Sequence, residues 1–87
     1  RIITAATTLT ENDYTVIKNV TTAFTVTLPA ASTATWRIYN IVNARNAGAI
    51  TISPWYLGIA NSANTTTVAI SSSIIIQSDG TNWLQIK

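Results

Sequence analysis

The segment Ala23-Phe24-Thr25-Val26-Thr27-Leu28-Pro29 decides the fold class. Phe24, Val26 and Leu28 fall on one side of an extended chain, and the threonines between them fall on the other side. This two-residue period is typical of a β-strand that buries one face. Pro29 has no backbone N–H to donate to a neighbouring strand, so it ends the predicted strand.

Similar segments occur along most of the chain, separated by short polar or small-residue connections. The predicted strands are Tyr14–Asn19, Ala23–Leu28, Trp36–Val42, Ala49–Ser53, Thr66–Ser71, Ser73–Ser78 and Asn82–Ile86. The pair Asp79-Gly80 is typical of a tight hairpin turn between the last two strands. The segment Trp55–Asn64, after Pro54, has no strand pattern and is predicted to be a loop. The spacing of strands and turns predicts one all-β domain over residues 1–87, either a small antiparallel sandwich or barrel-like fold or a β-prism.

The composition excludes several classes of function. Only 9% of the residues are charged, and the chain has no Cys and no His. Disulfides, thiolate metal sites and the most common general base are therefore absent. Glu11 and Asp13 are the only carboxylates close together in the sequence. A glycosidase pair would need Asp79 as the partner, and Asp79 stands in a tight Asp-Gly turn where Asp is expected for backbone reasons. Two carboxylates without the EF-hand pattern do not predict a calcium loop. We expect no enzyme activity, no metal and no cofactor.

The net charge of +2 gives no indication of an acidic partner. Arg1 and Lys87 are the terminal residues, and the three remaining cations match the three carboxylates in number. No basic patch of the kind that binds nucleic acid is predicted. No apolar run approaches the roughly 18–20 residues that span a bilayer, so we expect no membrane insertion. Because the sequence begins with Arg1 rather than Met, we expect it to be part of a longer protein.

The scarcity of charge indicates association with other chains. Eight charged side chains cover little of the surface of a 9.3 kDa monomer. The run Ile74-Ile75-Ile76 does not alternate with polar residues, which predicts a strand that buries both faces. In a chain of 87 residues a second buried face suggests a partner subunit. A homo-oligomer is the simplest arrangement.

Four segments in order resemble a small β domain of bacteriophage tail fibres and tailspikes. They are Phe24-Thr25-Val26-Thr27-Leu28-Pro29-Ala30-Ala31-Ser32, Arg37-Ile38-Tyr39-Asn40-Ile41-Val42-Asn43, Ala49-Ile50-Thr51-Ile52-Ser53-Pro54 and Ile76-Gln77-Ser78-Asp79-Gly80-Thr81-Asn82-Trp83-Leu84-Gln85-Ile86. The resemblance covers about residues 14–87. It implies an extracellular virion module that forms a homotrimer, binds a polysaccharide or protein receptor on the host surface, and carries no catalytic chemistry.

The sequence departs from that pattern at two places. A small residue, usually Gly, is expected before Arg37, and Trp36 stands there. Gly, Asp and Asn are expected after Pro54, and Trp55, Tyr56 and Leu57 follow instead. Aromatic residues in loops, with arginine nearby, are typical of recognition surfaces. The candidate receptor-binding residues are Trp36, Arg37, Arg45, Trp55, Tyr56 and Leu57.

Each of these residues also has a structural interpretation. The Trp55–Leu57 group could instead cover one end of a barrel or pack between subunits. Trp36 could be a core residue at a strand edge, and Arg45 could be a solvated loop charge. Two further interpretations concern function. In one, Trp36, Trp55 and Tyr56 are stacking platforms of a carbohydrate-binding module. In the other, the domain is an engineered or selected protein binder built on this trimeric scaffold, because binding selections enrich Trp, Tyr and Arg in loops.

Overall fold

The chain forms a single all-β sheet in the computed structural model, which describes residues 1–59 and 63–87. The strands are β1 (Ile2–Ile3), β2 (Thr7–Thr8), β3 (Thr15–Lys18), β4 (Phe24–Thr27), β5 (Ile38–Asn43), β6 (Ile50–Leu57), β7 (Asn64–Val68), β8 (Ser72–Ser78) and β9 (Trp83–Gln85). One 3-10 turn, Ala31–Thr33, precedes β5. Among the described residues no helix is long and apolar enough to cross a membrane.

The first six strands alternate between two parallel ladders. Strands β1, β3 and β5 form the first ladder, and β2, β4 and β6 form the second. The β8–β9 hairpin joins them, because β8 pairs antiparallel with β5 and β9 pairs parallel with β6. The resulting order β1-β3-β5-β8-β9-β6-β4-β2, with β7 beside β6, makes a nearly closed barrel-shaped sheet.

The all-β, barrel-like prediction is confirmed, but the prediction of an antiparallel sheet is wrong. The pairs β1–β3, β2–β4, β3–β5, β4–β6 and β6–β9 are parallel. Parallel neighbours need a crossover that returns the chain to the same end of the sheet. Here each strand of one ladder serves as the crossover for the other ladder, so short connections suffice and no helix is needed.

The prediction that Pro54 ends a strand is also wrong. β6 runs from Ile50 through Pro54 to Leu57, so the start of the predicted Trp55–Asn64 loop is a strand. Proline is tolerated because β6 changes partners there: its pairing with β4 ends at Ser53, and its pairing with β9 is at Leu57. The register against β7 shifts over the same segment, so no ladder hydrogen bond from position 54 is needed. Residues 60–62 of the predicted loop lie outside the described residues.

The core lies between the two ladders and is closed by the hairpin. Inward side chains alternate along each strand, as expected for a sheet with one buried face. The fully or almost fully buried apolar residues include Ile3, Val16, Val26, Leu28, Tyr39, Ile41, Ile50, Ile52, Ile74, Ile76 and Trp83. Lys18 is also buried, and its Nζ donates hydrogen bonds to the carbonyls of Val20 and Ala47. Two backbone carbonyls therefore solvate this ammonium inside the fold.

Candidate recognition site

Trp36 is presented to solvent on a constrained turn. Its side chain is 67% exposed and its φ is 67°. The backbone is held on both sides, because the Trp36 N–H donates to the Ser78 carbonyl (2.8 Å) and Gln77 Nε2 donates to the Trp36 carbonyl (3.0 Å). A left-handed φ costs a residue with a Cβ about 1–2 kcal/mol, which glycine avoids. The geometry explains why a small residue is expected here.

A small cleft, which we call the Trp55 cleft, opens at the same end of the barrel as this turn. Its volume is about 110 Å³, and its walls include Pro29, Ala31, Pro54, Trp55, Thr81 and Asn82. Trp55 is half-buried, and no charged side chain lines the cleft. The surface is therefore mostly apolar and aromatic, with one hydroxyl and one amide at its border. Ligand-binding clefts commonly have such a lining, mostly apolar and aromatic with a few polar groups.

Hydrogen bonds fix the walls of the Trp55 cleft. Trp83 lies beneath it, and its indole Nε1 donates to the Pro29 carbonyl (3.0 Å). Ser78 Oγ donates to the Ala31 carbonyl (2.8 Å), which joins the turn before Trp36 to the end of β8. Trp83 is thus a structural residue, and these hydrogen bonds hold the walls of the cleft in place.

Asp79 holds the remaining wall in place. Its Oδ1 accepts hydrogen bonds from the backbone N–H groups of Asn82 (2.8 Å) and Thr81 (2.9 Å). The two N–H donors, that of Asn82 first, lower the pKa of Asp79 below its usual value. Because backbone groups satisfy Asp79, the side chains of Thr81 and Asn82 are left free, and neither makes a hydrogen bond within the described part of the chain.

The three candidates Trp55, Tyr56 and Leu57 do not share one surface. Alternation along β6 turns Tyr56 inward, where it is 3% exposed and its hydroxyl donates to the Thr67 carbonyl (2.7 Å). This burial raises the pKa of Tyr56. Leu57 is half-buried on the opposite face, beside Leu84 of β9. Tyr56 is a core residue in this chain, which removes it from any contact surface.

The two arginine candidates lie at opposite ends of β5. Arg37 precedes the strand and is half-buried, and its backbone N–H donates to the Ala34 carbonyl (2.9 Å). Arg45 follows the strand, is exposed, and donates from Nε to the Asn19 carbonyl (3.2 Å). A strand of this length separates its ends by roughly 20 Å. Arg45 is therefore remote from Trp36 and the Trp55 cleft.

The carboxylate of Asp13 has hydrogen-bond partners within the fold. It accepts two hydrogen bonds from Arg1 Nη1 (3.1 and 3.2 Å) and one from the Thr10 backbone N–H (2.9 Å). Burial acts to raise the pKa of Asp13, but these contacts with Thr10 and Arg1 outweigh it and hold the pKa below its usual value. The described residues contain no group of three or more metal-ligating side chains. Asp13 anchors the amino terminus to β3 and its preceding turn.

The outer surface of the first ladder and the hairpin carries a group of aliphatic side chains, a feature the sequence patterns alone did not locate. Register places outward side chains of β1, β3, β5, β8 and β9 in adjoining rows. We call this surface the apolar face, after its six aliphatic residues Ile2, Ile17, Ile38, Val42, Ile75 and Leu84. The same rows also hold four uncharged polar residues, Thr15, Asn40, Ser73 and Gln77. All are exposed or half-buried, and Ile2 is 63% exposed. Lys18 is the one charged residue in the nine strands, and it points inward.

The second ladder has a different outer surface. Where β4 pairs with β6, the outward side chains are Thr25, Thr27, Thr51 and Ser53. We call this surface the hydroxyl face. Hydroxyl groups can hydrogen-bond to water, whereas the branched aliphatic residues of the apolar face cannot. The two outer faces of one sheet therefore differ in chemistry, and the apolar face is the one suited to burial.

No family model, curated protein or solved structure matches this chain.

Proposed function

We propose that this chain is a homotrimeric module of a phage tail fibre or tailspike, serving trimerisation and attachment to a receptor on the host surface. The observation that carries the self-association is the apolar face. An antiparallel or mixed sheet with one face toward water normally shows polar residues on that face. Here six aliphatic side chains outnumber the four polar ones on that face, and none of the ten is charged, which supports a surface covered by another copy.

The apolar face is large enough to form part of an interface between subunits. Five strands spaced about 4.8 Å apart and about 15 Å long give a footprint of roughly 350 Å². Soluble monomers expose apolar patches of up to about 300–600 Å², so the area alone does not require a partner. A standard interface buries about 800 Å² per partner, so the apolar face supplies close to half of one. Ile86 (46% exposed), which follows β9 and is in phase with Leu84, extends the same surface.

The number of subunits and the attachment role come from the resemblance of residues 14–87 to tail-fibre domains. Trp36 and the Trp55 cleft support attachment, because they leave aromatic surface at one end of the barrel that the core does not use. The apolar face occupies the side of the barrel. A trimer packed through that side would present three copies of the aromatic end in the same direction.

The apolar face and the hydroxyl face provide a matched pair of variants. Ile75→Glu places a carboxylate in the proposed interface, and Thr51→Glu places the same group on the hydroxyl face. Burying an unpaired carboxylate costs several kcal/mol, so we expect Ile75→Glu to weaken association by at least about 100-fold. Sedimentation velocity at micromolar concentration is expected to show a monomer for Ile75→Glu and a trimer for Thr51→Glu.

Circular dichroism on the same samples shows whether each variant is folded. If Ile75→Glu does not fold, Ile2→Glu replaces it, because Ile2 lies at the edge of the sheet and is mostly exposed. A folded face variant that remains trimeric, or a Thr51→Glu variant that dissociates equally, would contradict the proposed interface.

A second candidate function is that of a protein-binding module, natural or selected, with Trp36 as its anchor. The observation that favours it is the exposed indole on a left-handed backbone. Strained residues of this kind concentrate at functional sites, and Trp is the most enriched residue type in binding hot spots. Under this alternative Trp36→Gly abolishes binding to the protein target without lowering the melting temperature, and Trp55→Ala leaves binding unchanged.

A further inference from the structure

We propose that the Trp55 cleft binds one neutral pyranose ring of a polysaccharide. The proposal rests on the attachment role proposed above and names the chemical class of receptor. The chemistry of the lining carries it. A pyranose presents apolar C–H groups on its ring faces and hydroxyl groups around its edge. A matching site needs an aromatic surface to contact the C–H groups and a few polar groups to hydrogen-bond to the hydroxyl groups.

The apolar part of the Trp55 cleft fits a ring face. Trp55 provides aromatic surface, and Pro29 and Pro54 provide rigid walls beside it. The electron-rich face of an indole attracts the weakly positive C–H groups of a sugar. A cavity of about 110 Å³ that is open on one side admits a single ring and leaves its substituents outside. Such a geometry suits a residue within a longer glycan.

The polar border of the cleft fits hydroxyl groups. The Asn82 amide offers both a donor and an acceptor, and the Thr81 hydroxyl offers the same two functions. Both side chains are free within the described residues, since Asp79 binds only their backbone N–H groups. A ligand can therefore use them without breaking a hydrogen bond of the fold.

Because no charged side chain lines the cleft, an uncharged sugar is the expected ligand. None of the cleft residues is a cation or a carboxylate. The nearest charge along the chain, Asp79, is satisfied by backbone donors. An acidic sugar would lose the hydration of its carboxylate and gain no cation in return. Neutral hexoses and N-acetylhexosamines are thus the expected ligands, in preference to uronic or sialic acids.

The test follows the three indole N–H signals by NMR while sugars are added to the full chain. The probes are the methyl glycosides of glucose, galactose, mannose and N-acetylglucosamine, each to about 50 mM, because a single ring is expected to bind with a Kd of about 1–10 mM. We expect at least one probe to shift the Trp55 signal saturably. The Trp83 signal, whose N–H is bonded to Pro29, and the Trp36 signal are expected to move much less.

Two variants separate this site from the rest of the surface. Asn82→Ala removes a side chain that makes no hydrogen bond in the fold, so it is expected to weaken the sugar about fivefold or more without unfolding the protein. Trp55→Ala is expected to abolish binding, and Trp36→Ala, the matched aromatic control, is expected to leave the Kd unchanged.

Three results would overturn the proposal. They are no saturable shift with any of the four sugars, equal binding by Asn82→Ala, or a shift with N-acetylproline methylamide in place of the sugars, which would indicate a peptide ligand. Sedimentation of the same samples keeps the two proposals apart. A trimer that binds no sugar contradicts only the sugar site, and a monomer that binds sugar contradicts only the trimer.

Discussion

The backbone conformation of Trp36 leads to a test in which glycine stabilises the protein relative to alanine. Alanine retains the Cβ that makes a φ of 67° unfavourable, whereas glycine does not. The left-handed conformation costs a residue with a Cβ about 1–2 kcal/mol. Glycine loses about 0.5–1 kcal/mol more backbone entropy on folding. The difference predicts that Trp36→Gly is more stable than Trp36→Ala by about 0.5–1 kcal/mol.

Comparing the two variants with each other cancels the indole contacts that both of them lose. For a domain of this size 1 kcal/mol shifts the melting temperature by about 4–8 °C, so we expect Trp36→Gly to melt about 2–8 °C above Trp36→Ala. The assay is differential scanning calorimetry at equal protein concentration, because association makes the melting temperature concentration-dependent.

The control is the same pair of substitutions at an ordinary strand position. Thr66 is exposed in the middle of β7 and is not among the residues with positive φ. There Thr66→Gly is expected to melt below Thr66→Ala, since only the entropy term remains. If Trp36→Ala melts at or above Trp36→Gly, the reasoning about strain at this turn is refuted.

Two further predictions concern stability. Gly48→Ala is expected to prevent stable folding, because an added Cβ would lie 2.2 Å from the Thr21 backbone carbonyl oxygen. In Gly80→Ala the added Cβ would lie 3.2 Å from the Thr35 hydroxyl. That variant is expected to lose only about 1–2 kcal/mol of unfolding free energy, measured by chemical denaturation. Asp13→Asn is expected to cost about 1 kcal/mol at pH 7. Its contacts hold the folded-state pKa of Asp13 below the usual value of an aspartate, so the stabilisation from Asp13 is present above that usual value and is lost as the pH falls through the folded-state pKa. Urea midpoints of wild type and Asp13→Asn should therefore converge as the pH falls below the folded-state pKa of Asp13, and a constant difference would contradict the role of the carboxylate.

The sequence is sufficient to predict the strands but not their pairing. Alternation around Phe24–Leu28 and Ile38–Asn43 reflects the burial of one face, which is a local property of the chain. Two strands can run parallel when the strand between them in the sequence lies in the other ladder and returns the chain to the same end of the sheet. In this fold β4 carries the chain from β3 back to β5, and no residue of β4 marks it as a crossover.

The positions of Pro54 and Lys18 in the fold could not be predicted from the sequence either. Pro54 is expected to end a strand, yet the loss of an N–H has no cost where β6 changes partners. Lys18 falls on the buried side of β3 by simple alternation with Val16. Its burial depends on the carbonyls of Val20 and Ala47, and Ala47 is distant in sequence. Both features depend on tertiary neighbours.

The candidate site could be predicted in part. Trp36 stands out in sequence because glycine is expected at its position, and the positive φ supplies the physical reason. Trp55, Tyr56 and Leu57 look like one aromatic loop, but they form a strand and so point in alternate directions. The sequence does not single out Asn82, because the Trp55 cleft is built from three separate segments and Asn82 lies in only one of them.

The central claim is that the apolar face is covered by other copies of this chain. Sedimentation equilibrium of the wild-type protein at micromolar concentration tests it most directly. The account predicts a mass of about 28 kDa, three times the 9.3 kDa of one chain. A stable mass of 9.3 kDa across that concentration range would show that six aliphatic side chains remain in water, and it would contradict the claim.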